Sequence, residues 1–193
     1  MKSIVISLYG ASCSGKSTTA LGLTAEMKIR GYHSELVQEY IKKWAWRGMK
    51  PLKYDQIYVL GQQAYAEANL YEKVKYIVTD SPILLVPFFE DYLLNKKVTK
   101  MAALEFLKDA EANGVLHLNF WLTRPGQFDP RGRYETQEES DLLSKKMRAY
   151  FEDLNIKFID LPTDHHERIK IIMEEVDKLD HVKASKTDSD CDL

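Results

Sequence analysis

The stretch SIVISLYGASCSGKSTTA, residues 3–20, joins two different periodicities through a loop bracketed by glycines. Residues 3–9 are apolar and β-branched and stop at Gly10, the pattern of a buried strand running into a turn. Beyond the loop, Ala20, Leu23 and Met27 recur at helical spacing, and Gly31 supplies a stop. The order is therefore strand, glycine loop, helix.

The alternation continues along the chain. HSELVQEY (33–40) reads as a second strand, residues 55–75 as a helix, and YIVTD (76–80) as a third strand. Residues 87–113 are mostly helical with a break near Asn95, VLHLNFWL (115–122) is a fourth strand, and IKFIDL (156–161) a fifth. Thr136 and Glu139 have capping-box spacing ahead of a helix over 137–154, and a last helix begins at residue 164. Repeated β-then-α order predicts a parallel sheet with helices on both faces. Hydrophobic residues make up 45% and charged residues 29% of the 193, so one packed core needs no metal or disulfide to hold it. We expect one domain over residues 1–180 and a flexible polar tail over 181–193.

Gly10-Ala11-Ser12-Cys13-Ser14-Gly15-Lys16-Ser17 matches G-x-x-x-x-G-K-[ST] in full and stands between a strand and a helix, as that motif requires. The glycines let backbone N–H groups turn inward around phosphate oxygens, and the helix N-terminus adds partial positive charge. On this reading residues Gly10 through Thr18 form the nucleotide-phosphate site, Lys16 reaches the β- and γ-phosphates of ATP, and Ser17 offers its hydroxyl to Mg²⁺. Asp80 ends an apolar strand and is either a second holder of Mg²⁺ or a turn aspartate before Ser81-Pro82. Glu39 ends the second strand, where a carboxylate orients an acceptor hydroxyl or is simply solvated.

Arg124, Arg131 and Arg133 lie after the fourth strand, where a short lid would bring guanidinium groups onto a transferring phosphoryl group. Pro162 and Thr163 follow the fifth strand and are candidate neighbours of adenine. Tyr40, Trp44, Trp46, Phe88, Phe89 and Tyr92 follow the strand ends carrying Glu39 and Asp80, as core residues or as rings for stacking a base. His165 and His166 lack a partner at metal spacing and read as helix-start residues.

Composition excludes several classes. A net charge of −2 gives no broad basic surface for nucleic acid, although KKWAWR (42–47) interleaves aromatic and basic residues. Cys13 and Cys191 form no C-x-x-C pair, which argues against a disulfide framework or zinc site. The apolar start is too short for a signal-peptide core or a membrane span, so a cytoplasmic protein without a membrane partner is expected.

Through GASCSGKST, QEY after strand two, GQQAYAEANL and VTDSP, the chain resembles the P-loop kinase superfamily. More particularly it is similar to the nicotinamide riboside kinase domain of bacterial NAD-biosynthesis proteins and to related phage and bacterial AAA-type kinase-like ATPases. The resemblance covers residues 1 to about 180 and implies a three-layer P-loop NTPase fold, use of ATP and Mg²⁺, Glu39 or Asp80 near the acceptor, and arginines in the lid. The chain departs from that family where a second aspartate often stands near strand three, since Ser81-Pro82 follow Asp80. The expected activity is transfer of the γ-phosphoryl group of ATP to a nucleoside or nucleotide-like small molecule. A modified base in DNA is an alternative acceptor, and a nucleotide-dependent regulatory switch is the alternative from another class.

Overall fold

The computed structural model describes residues 2–52, 54–124, 126, 128 and 136–187, with side chains as far as residue 180. Five strands form one sheet: β1 (Ile4–Tyr9), β2 (Ser34–Val37), β3 (Tyr76–Thr79), β4 (Leu116–Leu122) and β5 (Ile159–Leu161). The helices are α1 (Lys16–Ile29), α2 (Lys42–Ala45), α3 (Asp55–Ala68), α4 (Leu85–Leu94), α5 (Val98–Ala112), α6 (Gln137–Asp153) and α7 (His165–Thr187). The strand order is β2-β3-β1-β4-β5 and every pairing is parallel, with Ile4 opposite both Tyr76 and Leu116.

β1 is central and all six of its residues are buried, because helices cover both faces of the sheet. Ile4, Ile6 and Leu8 face one way, into a core with Ala20, Leu23 and Met27 of α1 and Ile172, Met173 and Val176 of α7. The intervening positions face the other way, where Tyr9 joins Val59 and Leu60 of α3, Phe88 of α4 and Met147 and Phe151 of α6. Each fully buried aliphatic side chain of this kind contributes about 1.5–3 kcal/mol. After β1 the chain builds β2 and β3 to one side and β4 and β5 to the other. The direction of winding thus reverses at β1, and the crevice beyond the carboxyl end of that strand is where such sheets bind ligands.

Local signals decide the boundaries. The helical stretch after β3 breaks where Asn95 adopts a left-handed φ of 48°, and the capping box at α6 is complete. Several boundaries differ from expectation. β2 stops at Val37, where its pairing with Thr79 ends, so Glu39 and Tyr40 lie beyond the strand. β5 holds only Ile159–Leu161, α3 ends at Ala68 in a series of turns, and residues 42–45 form a short helix. α7 continues to Thr187, through the first residues of the segment expected to be a loose tail. Among the described residues no helix is long and apolar enough to cross a membrane.

Candidate functional site

The loop between β1 and α1 owes its shape to close approaches at both glycines. Gly10 has φ +145°, and a Cβ there would stand 2.6 Å from the backbone oxygen of Leu122. Gly15 has φ +88°, and a Cβ there would stand 2.7 Å from Nη1 of Arg168. Any side chain at either position would collide, which explains glycine in physical terms. Gly15 is also the N-cap of α1 and offers no side-chain cap, and the first turn carries no acidic residue. The amides at the start of α1 therefore keep their donor character and partial positive charge for an anion. Lys16 Nζ donates to the carbonyls of Gly10 (2.7 Å) and Ala11 (3.1 Å), so its ammonium spans the loop.

Three sequence-selected groups converge beside this loop. Ser17 Oγ lies 3.2 Å from Lys42 Nζ, which donates to it from the first turn of α2. Asp80 is buried just past β3, and its Oδ1 accepts a hydrogen bond of 2.9 Å from the backbone N–H of Glu39. Gln63 of α3 accepts from the next amide, that of Tyr40, at 3.3 Å. Residues 39 and 40 are thereby held by side chains after the ladder has ended. Glu39, Lys42, Ser81 and Ser12 line a cavity of about 480 Å³ whose far walls are Val59, Leu85, Val86, Phe89, Tyr92 and Leu143. This has the size and the apolar lining with a few polar groups that suit a small organic molecule.

The remaining candidates divide. Arg124 forms an ion pair with Asp141 and borders a second cavity of about 240 Å³ beside Ala11, Ser12 and Ser14. Arg131 and Arg133 lie outside the described residues. Pro162 is near the phosphate loop through a shared contact with Arg168, and Thr163 is exposed. Phe89 and Tyr92 line the larger cavity, whereas Phe88 is core. Tyr40 and Trp44 pack with Tyr58 instead, and Trp46 is 68% exposed. His165 and His166 open α7, and no cluster able to hold a metal through His, Cys, Asp and Glu side chains occurs among the described residues. Cys13, at the loop's crest, has φ 62°, and Cys191 lies outside the described residues.

Sequence reasoning missed Gln56, Gln63 and Arg168, and read Lys42 only as part of the basic, aromatic stretch 42–47. Gln56 and Gln63 recur seven residues apart within an otherwise periodic helix and are 4% and 1% exposed, a buried polar stripe that the sequence displays. Arg168 carries no such signal.

Residues 5–168 match a family model described as an AAA domain. Among solved structures, the chain is similar to deoxyadenosine kinase from M. mycoides with products dCMP and a flexible dCDP bound, at 19% identity and a TM-score of 0.60, covering 90% of this chain and 99% of that one. Deoxyadenosine kinase from M. mycoides with bound dATP gives a TM-score of 0.54 at 18% identity, covering 90% and 98%. No curated protein matches the sequence. The structural likeness reproduces the five-strand parallel sheet with flanking helices. With the family match extending from β1 into the first turn of α7, across the glycine loop and the residues around it, the chain belongs to the AAA domain family.

Proposed function

We propose that the protein is a P-loop phosphotransferase that moves the γ-phosphoryl group of ATP to a hydroxyl or phosphate of a nucleoside or nucleotide-like acceptor. The observation that carries this reading is continuity: Ser12 of the phosphate loop also lines the 480 Å³ cavity, together with Glu39 and Ser81. A donor held by the loop and an acceptor held by the cavity would meet at that shared wall. A protein of similar fold binds dATP, which supports a triphosphate donor here.

Loop amides and Lys16 hold the donor's phosphates, and the catalytic benefit comes from positioning and charge neutralisation. Glu39 faces the acceptor and orients or accepts a proton from its hydroxyl. Ser17 and Asp80 present a hydroxyl and a carboxylate, hard oxygen donors suited to Mg²⁺. The Lys42 ammonium on Ser17 Oγ shows that this spot tolerates positive charge. When bound, Mg²⁺ would neutralise phosphate oxygens. Arg124, Arg131 and Arg133 are assigned to closure over the phosphates, and Pro162 and Thr163 to the adenine edge.

Nicotinamide riboside, deoxynucleosides and nucleoside monophosphates are the free acceptors to test. A second reading, an acceptor base carried on DNA, is favoured by Lys43, Arg47 and exposed Trp46 beside the cavity rim formed by Lys42 and Lys50. The test is ATP consumption against these nucleosides and nucleotides and against single-stranded DNA with modified bases. Consumption that rises only with one acceptor supports the kinase. Slow hydrolysis indifferent to every acceptor, with nucleotide-dependent partner binding, would assign a regulatory switch instead.

A further inference from the structure

Arg168, in the first turns of α7, is 2% exposed and is among the largest fully buried side chains. Its guanidinium donates to three backbone carbonyls from three separate loops. Nη1 reaches Ser14 of the phosphate loop at 2.7 Å, Nη2 reaches Thr123 beyond β4 at 2.6 Å, and Nε reaches Pro162 beyond β5 at 2.5 Å. Among the described residues no carboxylate forms an ion pair with it. A buried cation whose hydrogen bonds all go to carbonyls, with Asp164 acting on it only through its field, is left partly uncompensated, and here it lies beneath a loop built for anions.

We propose that Arg168 is a positioning residue for nucleotide phosphate: by holding the Ser14 carbonyl it fixes the Ser14–Gly15 peptide so that the Gly15 amide faces the bound phosphate. Peptide planarity supplies the mechanism. The bond is trans, so the Gly15 N–H points opposite to the Ser14 C=O. With the carbonyl anchored on Arg168, the amide is turned to the other side, toward the loop's concave face. Lysine cannot replace this arrangement, because an ammonium lacks the planar fork that serves three carbonyls at fixed angles. The short approach between Arg168 and residue 15 also explains why a Cβ is excluded there. The same fork ties the phosphate loop to Thr123 and Pro162, so the segments leaving β1, β4 and β5 are set by one side chain.

This inference rests on the phosphate-loop reading but not on phosphoryl transfer, so its test is binding. Affinities of native protein and R168K for ATP, ADP and adenosine are measured by calorimetry, with circular dichroism to check folding. R168K is expected to lose about 10- to 100-fold for ATP and ADP, the range seen when a group that orients a contact residue is removed, and a smaller factor for adenosine, which meets only the Pro162 end of the fork. A folded R168K with an unchanged ratio of ATP to adenosine affinity would overturn the proposal. Should R168K not fold, the native chain decides: the Arg168 Nη1–H resonance, which reports the bond to Ser14, must shift on adding pyrophosphate. A resonance indifferent to pyrophosphate overturns it. Failure of the native chain to bind ATP at all would instead remove the phosphotransferase reading.

Discussion

Asp80 holds Glu39: the carboxylate just past β3 accepts a hydrogen bond of 2.9 Å from the amide of a residue that lines the cavity. The two acids are therefore not interchangeable. One is buried and accepts the Glu39 amide through its Oδ1, while the other is half-buried and lines the cavity. D80N keeps an oxygen able to accept from Glu39 but removes the charge. It should raise the Mg²⁺ concentration for half-maximal activity at least about tenfold and leave thermal stability within a few degrees. E39Q should lower kcat by about 10²- to 10⁴-fold with ATP affinity nearly unchanged. Steady-state kinetics with a Mg²⁺ titration checks both, and an E39Q enzyme losing ATP affinity in step with kcat would make Glu39 structural.

Lys42 and Mg²⁺ would share one hydroxyl. With the ammonium 3.2 Å from Ser17 Oγ, a divalent ion arriving there must displace it or accept a neighbouring positive charge. K42M should therefore bind Mg²⁺-ATP at several-fold lower free Mg²⁺ than the native protein. Its ATP affinity in EDTA should fall, because a cation beside Ser17, second to Lys16, is gone from the edge of the loop. Calorimetric titrations with and without Mg²⁺ measure both arms, and a variant with no change in Mg²⁺ dependence would place Lys42 outside the metal's reach.

Lys16 spans the loop through the carbonyls of Gly10 and Ala11. K16A should abolish phosphoryl transfer, a loss of at least about 10²- to 10³-fold, since a preorganised cation at the developing charge is removed. The fold should survive, because β1, α1 and their buried residues do not depend on that ammonium. Turnover assays beside a thermal melt test this, and native turnover in K16A would refute the phosphate-loop assignment.

The parts of the site legible in sequence are those encoded within one segment. Gly10 to Ser17 declares a loop through its spacing, the break at Asn95 follows from a residue that tolerates left-handed φ, and Thr136 with Glu139 announces a cap. Glu39 is expected at a strand end because HSELVQEY (33–40) reads as a second strand that closes in charge. The strand nevertheless stops at Val37, since β3 turns away after Thr79 and Asp80 takes the next amide with its side chain. Arg168 was invisible for a related reason. An arginine in a helix's first turns normally reads as solvated, and its burial exists only because three loops distant in sequence meet around it. Tertiary convergence of this kind leaves no local period.

Between α3 and the sheet, on the side away from α1 and α7, lie two titratable groups with opposed shifts, Glu67 of α3 and His117 of β4. Glu67 is 1% exposed, accepts a 2.6 Å bond from Tyr71, and burial pushes its pKa up to about 7 from 4.5. Burial lowers His117 to about 4 from 6.5, and its Nε2 is buried without a partner among the described residues. Both border an internal space of about 50 Å³ with Tyr9, Glu111 and Asn119. Between pH 4.5 and 7 the folded state holds the Glu67 proton that the unfolded chain has released, so this group's stabilisation is lost as pH rises. Between pH 6.5 and 4 the unfolded chain protonates the histidine while the folded state does not, so the other contribution is lost as pH falls. Each is worth roughly 3 kcal/mol over its window, and over the shared range the slopes oppose one another. The native stability should therefore be nearly flat from pH 4.5 to 6.5 as far as these two groups decide it. E67Q should make it rise with pH through that range relative to native protein, and H117N should make it fall from pH 4.5 to 7. Urea unfolding of all three proteins at half-unit pH steps tests the pair, and parallel profiles would show that neither group titrates differently on folding.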